Sequence, residues 1–253
     1  VSAVRAITHQ FRYDLLRFVR NRQSLVLSLI VPVVFLVVLA AVFGTNRVGA
    51  IPTSVYYVPS IMVFAIVTAS FTNLAVSVAR DRDAGVYKRR RATPARPVAL
   101  IGGRALLAVV IGLVITTILA LIGRFAYGAT PGPSPLPGIA ALALTVVIGA
   151  AAFACLSYAV VSLARDPDST QLVVTLATLP LFFISGVFIP GPRLPPGFSV
   201  VAAAFPVKHL ASAMLTVYTG HNPLSLPDLG VVAAWGVLGL VIAARRFTWL
   251  PRA

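Results

Sequence analysis

Six stretches of this chain are apolar enough, and near enough to 20 residues long, to be read as membrane spans: residues 25–43, 56–78, 98–122, 139–164, 171–189 and 229–247. A helix rising 1.5 Å per residue needs about 20 residues to cross a hydrocarbon layer of about 30 Å. In hydrocarbon the backbone must satisfy its own hydrogen bonds, which favours helices for runs of this length. Only 11% of the 253 residues are charged and 58% are hydrophobic. A soluble domain carries roughly a quarter charged residues. Too little polar side chain remains to coat a water-facing globule. The sequence therefore predicts an all-α polytopic membrane protein, a single transmembrane domain over residues 1–253, with neither an internal repeat nor a second domain.

Residues 1–22 have a different pattern. Val4, Ile7, Phe11, Leu15 and Phe18 recur at steps of three and four, with Arg5, His9, Arg12 and Arg20 on the other side. This is the pattern of an amphipathic helix lying at the membrane interface. The apolar run that follows lacks a small-x-small cleavage site, so it is read as the first span and not as part of a secretory signal.

Lys and Arg alternate in density between the spans, with 17 in the N-terminus, the second loop, the fourth loop and the C-terminus against 4 in the remaining loops. The positive-inside rule then places both termini in the cytoplasm and the chain in the cell membrane. The formal charge of +15 is read as topology and contact with anionic lipid, not as a nucleic-acid surface. Residues 190–228 form a long external loop, half apolar, expected to fold back as a short re-entrant segment. Residues 128–138 are a Gly/Pro-rich connector.

Candidates for chemistry are few. There are 3 His, 6 acidic residues, all Asp, and a single cysteine, Cys155, inside an apolar run. His9, His209 and His221 lie far apart, with no metal-ligand spacing, and one thiol excludes an intrachain disulfide. No Gly-x-x-x-x-Gly-Lys-Ser/Thr loop is present, so the chain has no P-loop for nucleotide. All six Asp fall outside the middles of the spans, where a proton- or ion-coupled transporter would place a buried ionisable group. The chain is read as a non-enzyme without a cofactor of its own, and energy for any transport would come from elsewhere.

Two segments carry a family likeness. Residues 79–97 read ARDRDAGVYKRRRATPARP. The run holds Asp81, Asp83, Gly85, Lys88, Arg89, Arg91, Ala92, Thr93 and Pro94, and resembles the cytoplasmic coupling segment of the ABC type-2 membrane proteins, the permease subunits of ATP-binding cassette exporters. That family usually has Glu where this chain has Asp81 and Asp83. Residues 179–190, LPLFFISGVFIP, followed by Leu194-Pro195 and Phe205-Pro206, are similar to the end of the family's fifth span and its external re-entrant segment. The two motifs fall in the family's order, along nearly the whole chain.

The resemblance implies a permease that pairs with an identical or homologous second half and with two nucleotide-binding ATPase subunits, which would hold the ATP and Mg. It implies that Asp81, Asp83, Gly85, Lys88, Arg89, Arg91, Thr93 and Pro94 form a coupling helix and turn facing the motor. The basic run also fits a plain positive-inside anchor. The family's second and fifth spans tend to line the central path. Here they carry Ser70, Asn73 and Ser77, and Thr175, Thr178, Phe182 and Ser185. Such hydroxyls also serve as hydrogen bonds between helices. A stripe of hydroxyls with an aromatic suits an amphiphilic drug or lipid-like cargo moved by efflux, as in drug resistance. Surface glycans are the family's other cargo, and a membrane assembly or anchoring protein without transport is the rival class.

Overall fold

The computed structural model describes residues 3–43, 47–48, 51–86, 97–132, 134–164, 166–190, 195–220 and 223–246. Helix α1 (Ala3–Arg20) ends at Asn21, whose N–H bonds back to the carbonyls of Arg17 and Phe18. Helix α2 (Arg22–Phe43) follows at once. A small antiparallel hairpin, β1 (Arg47–Val48) and β2 (Ile51–Pro52), pairs Arg47 with Pro52 and Val48 with Ile51.

Helix α3 (Thr53–Asp83) is unbroken for 31 residues and contains a π-helical turn at Thr68–Asn73. Then come α4 (Pro97–Tyr127), α5 (Pro135–Leu163) and α6 (Pro167–Ile184). The short helices α7 (Pro196–Ala203) and α8 (Pro206–Thr219) precede α9 (Leu226–Arg246).

Five of these helices contain stretches long and apolar enough to cross a membrane: α3, α4, α5, α6 and α9. Helix α2 is apolar over Ser28–Phe43, a shorter stretch than these five, and the protein is an all-α polytopic membrane protein. Helices α7 and α8 meet at a bend of 97°, the geometry of a broken or re-entrant segment. Each begins with a proline, Pro196 or Pro206, whose missing N–H costs nothing in a helix's first turn.

The helices differ from the expected spans mainly at their ends. The second was expected at 56–78, but α3 carries on through Arg80, Asp81, Arg82 and Asp83, because Asp81 and Arg82 find partners inside the bundle. The fifth was expected to reach residue 189, but α6 ends at Ile184. Gly186 there takes φ +83°, a left-handed conformation that stops a helix readily only at glycine. The turn it makes is held by α3: Tyr56 Oη donates to the Gly186 carbonyl at 2.5 Å and Tyr57 Oη to the Phe188 carbonyl at 3.2 Å.

Helix α3 is the hub. Its Tyr57, Val58, Ile61, Met62 and Ile66 are fully buried, and it packs against α2, α4, α5 and α8. The tightest pairing is between α5 and α9. A Cβ placed on Gly236 would lie 2.8 Å from Ala152 Cα, and one on Gly239 2.9 Å from the Leu156 backbone nitrogen. In a membrane, where burial against lipid gives little driving force, small residues let backbones approach and gain dispersion contacts.

Candidate functional site

The charged end of α3 is built by helical geometry. Successive residues turn by about 100°, so Asp81 and Asp83 point to nearly opposite sides. Asp81 is buried and Asp83 is exposed. Arg17 of α1 donates from Nη1 to both carboxylate oxygens of Asp81, at 2.9 and 3.0 Å, and Arg104 of α4 donates to Asp81 Oδ2 from Nη2. Arg104 Nε also lies 3.6 Å from Asp14 of α1, which accepts from Gln10 Nε2 at 2.5 Å.

Gln10, Asp14, Arg17, Asp81 and Arg104 thus join three helices through one ion network. The apolar stripe read on α1 includes Phe11, Leu15 and Phe18, half-buried, but the fully buried positions beside them are the polar Gln10 and Asp14. The amphipathic helix is fixed to the bundle by charge as well as by its apolar face.

Arg82, between the two acids, turns a third way. It is buried, and it donates to the carbonyls of Val161 at 2.7 Å and Ala164 at 3.0 Å. A cation on the orphan carbonyls at a helix C-terminus satisfies both hydrogen bonding and the helix dipole, and here it caps α5. Just beyond, Asp166 caps the start of α6: Ser169 N–H donates to its Oδ1 at 2.7 Å, and Ser169 Oγ receives the Asp166 N–H at 3.2 Å. The Ser169 backbone bond, with a smaller contribution from the Arg82 charge, holds the Asp166 carboxyl below its ordinary range.

Gly85 then turns the chain, at φ +67° and with no atom of the described residues within 4 Å of where a Cβ would stand. Of the other residues expected in the coupling segment, Lys88, Arg89, Arg91, Thr93 and Pro94 lie outside the described residues.

Beside the ion network a cavity of about 560 Å³ opens between α1, α2, α3 and α4. One end is charged and polar, with Arg17, Arg80, Arg104, Asp14, Asn73 and Ser77; the other is apolar, with Val31, Pro32, Phe64, Ala65 and Ile111. Of the stripe expected on the second span, Asn73 and Ser77 line this cavity. Ser70 does not: it is buried and its Oγ donates back to the Ile66 carbonyl at 2.5 Å. The π turn adds a residue between Ala69 and Asn73, which keeps Ala65, Ala69, Asn73 and Ser77 on one wall at steps of four.

The stripe on α6 faces inward. Thr178 is buried and donates to the Val174 carbonyl, and Thr175, half-buried, accepts from Gln171 Nε2 at 3.1 Å. Phe182 is 3% exposed, in an aromatic cluster with Phe64 at 5.1 Å and Phe188 at 5.7 Å between ring centres. Phe183, one residue on, is 47% exposed. Phe182 therefore touches the cavity only through Phe64. Ser185, also buried, lines a different and smaller cavity at the hairpin end of the bundle.

The sequence reading took Arg17, Arg82 and Arg104 only as topological charges and Asp14 only as an acid outside the spans. One signal was present: Asp14 is the sole acid in a basic amphipathic segment. The partner it shares a network with lies far along the chain and becomes visible only when α4 packs on α1.

Span-length helices and a cavity that is polar at one end and apolar at the other are features of a transport protein. Comparison with known proteins leads to the same class: residues 5–219 match the ABC-2 type transporter family, and the chain belongs to it. It is 24% identical over 234 residues to the daunorubicin resistance ABC transporter permease protein DrrB1 of Streptomyces coeruleorubidus, covering 89% of this chain and 78% of that protein. It is likewise 24% identical over 223 residues to the inner membrane transport permease YadH of Escherichia coli K12, covering 86% of this chain and 83% of that one. The protein is thus an ABC transporter permease, of a family whose members in general work with an ATP-binding subunit.

Proposed function

We propose that this permease exports an amphiphilic drug or lipid-like cargo out across the cytoplasmic membrane, driven by ATP on separate cassette subunits, with both of its termini in the cytoplasm. The observation that carries the reading is the cavity beside the ion network. Its charged and polar end lies against the interface helix and its apolar end runs between α2, α3 and α4, so it can hold a molecule with one polar and one apolar end. A surface glycan would leave the Val31, Pro32 and Phe64 wall without a partner, which favours the amphiphile. The Streptomyces relative, a daunorubicin resistance permease, points the same way.

Within this reading Asn73 and Ser77 contact cargo, and Phe182 acts on it by holding Phe64. Ser70, Thr175, Thr178 and Ser185 shape the path from behind. Asp83, exposed, and Gly85, half-buried, lie beyond the ion network and meet the motor together with Lys88, Arg89, Arg91, Thr93 and Pro94. Asp81 contributes by fixing the angle at which that segment leaves the bundle. A second permease half, identical or homologous, completes the path.

The test is transport by the chain reconstituted with a cassette ATPase in lipid vesicles, using daunorubicin and a fluorescent phospholipid as probes. Filling the cavity with Ser77→Phe should abolish movement of at least one probe while ATP hydrolysis continues. Unchanged transport by that variant, or transport by the parent without ATP, overturns the reading.

A further inference from the structure

At the other end of the bundle a second cavity, of about 280 Å³, is walled by the hairpin, α3, the turn after α6, and α8. Three of its residues bear on binding. Lys208 is half-buried and makes no ion pair among the described residues, which include all six Asp of the chain. Asp228, paired with the adjacent His209, is engaged elsewhere: His209 Nδ1 meets its Oδ1 at 2.7 Å and Ser225 Oγ donates to its Oδ2 at 2.7 Å. Ser185 is 1% exposed, and its Oγ has no hydrogen-bond partner. Two neighbouring hydroxyls are already committed, since Tyr56 Oη donates to the Gly186 carbonyl and Ser60 Oγ to the Tyr56 carbonyl at 3.0 Å. An ammonium without a counter-ion and a buried hydroxyl without an acceptor therefore share one cavity.

Both groups call for an anion, because a buried polar group left unmatched is costly. The rest of the wall is mostly apolar, with Val48, Ile51, Ala211 and Leu215, and its remaining hydroxyl, that of Ser212, is taken up by a hydrogen bond with Asp228. One cation matches one negative charge. A phosphodiester carries one, whereas a phosphate monoester or inorganic phosphate near neutral pH carries about 1.5 to 2. The cavity sits where the bent pair α7 and α8 packs back on α3, at the end of the spans, where headgroups lie.

We infer that the cavity formed by Lys208, Ser185, Val48, Ile51 and Leu215 binds the phosphodiester of an anionic glycerophospholipid, its glycerol against the apolar wall. The site is separate from the cavity assigned to cargo and does not depend on that assignment. Phosphatidylglycerol fits better than phosphatidylcholine, whose own ammonium competes with Lys208 for the phosphate.

The full chain, extracted with its membrane partners, is examined by native mass spectrometry after titration with phosphatidylglycerol, phosphatidylcholine or inorganic phosphate. The expected result is one retained phosphatidylglycerol per chain, held better than phosphatidylcholine. Lys208→Gln should weaken retention roughly tenfold, the effect of losing one charge-assisted hydrogen bond. Lys208→Arg should keep it, and Arg12→Gln, exposed on α1 and outside both cavities, should not alter it. If Lys208→Gln fails to fold, Ser185→Ala, which removes only a hydroxyl, carries the comparison and should weaken retention several-fold. Equal retention by the parent and the variant that folds overturns the inference. So does displacement of the lipid by inorganic phosphate, which would mark a free-anion site.

Discussion

Arg17 and Asp81 are 64 residues apart in the chain and share two hydrogen bonds, so the interface helix is bolted to the charged end of the second span. The bolt is asymmetric: the Arg17 side chain is 56% exposed and that of Asp81 4%. Arg104, 7% exposed, shares the same carboxylate. Asp81 is therefore the member whose loss takes from a buried cation its nearest carboxylate.

The two acids of the segment should separate cleanly on substitution. Breaking a buried ion pair by removing one partner costs about 3–5 kcal/mol, whereas an exposed change away from special features stays within about 0.5 kcal/mol. Asp81→Ala should lower the thermal unfolding temperature in detergent markedly, and Asp83→Ala should leave it near the parent value. Arg17→Gln should fall between, because water screens its exposed side. Equal melting of the Asp81 and Asp83 variants would show that the network contributes nothing to stability.

Gly85 tests the turn that follows. Its φ of +67° is costly for a residue with a Cβ, by roughly 1–2 kcal/mol, and no neighbour among the described residues stands within 4 Å to clash. The effect of substitution should come from the backbone alone. Gly85→Asn, which tolerates the left-handed region, should keep more ATPase coupling than Gly85→Val, with normal membrane insertion of both. Coupling that fell equally in the two variants would mean that the space beside Gly85 is filled by a motor subunit.

How much of this was legible in the sequence depends on the range of the physics. Span number and helical character are properties of local runs, and the helices follow them. The length of α3 was not legible, because Arg80 to Asp83 look like a loop until Arg82 reaches the carbonyls of Val161 and Ala164. The opposite facing of Asp81 and Asp83 follows from 100° per residue, but which of them faces inward is decided by Arg17 and Arg104, on other helices. Phe182 and Phe183 were separable by the same geometry, yet their surroundings depend on Phe64 and Phe188.

The close crossing of α5 and α9 predicts an unusual sensitivity to a single methyl group. Gly239→Ala would place a Cβ 2.9 Å from backbone, which cannot move aside as a side chain can, whereas nothing lies within 4 Å at Gly230. Overpacking of this kind costs about 1–3 kcal/mol. Gly239→Ala should lower thermal stability in detergent while Gly230→Ala leaves it unchanged or slightly raised; the reverse order would mean that the two helices do not pack by their glycines.

Orientation can be read without transport. A reporter active only in the cytoplasm, fused after Arg91 or Arg252, should give signal, and one after Arg47 or Pro192 should give none, since basic residues concentrate on the first pair's side. Signal after Arg47 would reverse the topology and with it the side on which the cargo cavity and the lipid site lie.

The neighbouring phenylalanines of α6 distinguish packing from exposure. Phe182 is 3% exposed and its ring meets Phe64, which lines the cavity beside the ion network, whereas Phe183 is 47% exposed and meets Phe188 at 5.3 Å. Truncating a buried Phe to Ala costs about 3–5 kcal/mol through lost burial and the hole left behind. Phe182→Ala should therefore both destabilise the bundle and, by releasing Phe64, change which amphiphiles are moved. Phe182→Leu, which fills most of the space, should restore stability but not the T-shaped contact, so a shift in cargo preference should persist in it. Phe183→Ala should leave chain stability close to the parent. Measuring unfolding temperature alongside drug tolerance separates the two effects: if Phe182→Leu melts like the parent and tolerates every drug as the parent does, the ring of Phe182 supports the fold alone and has no part in selecting cargo.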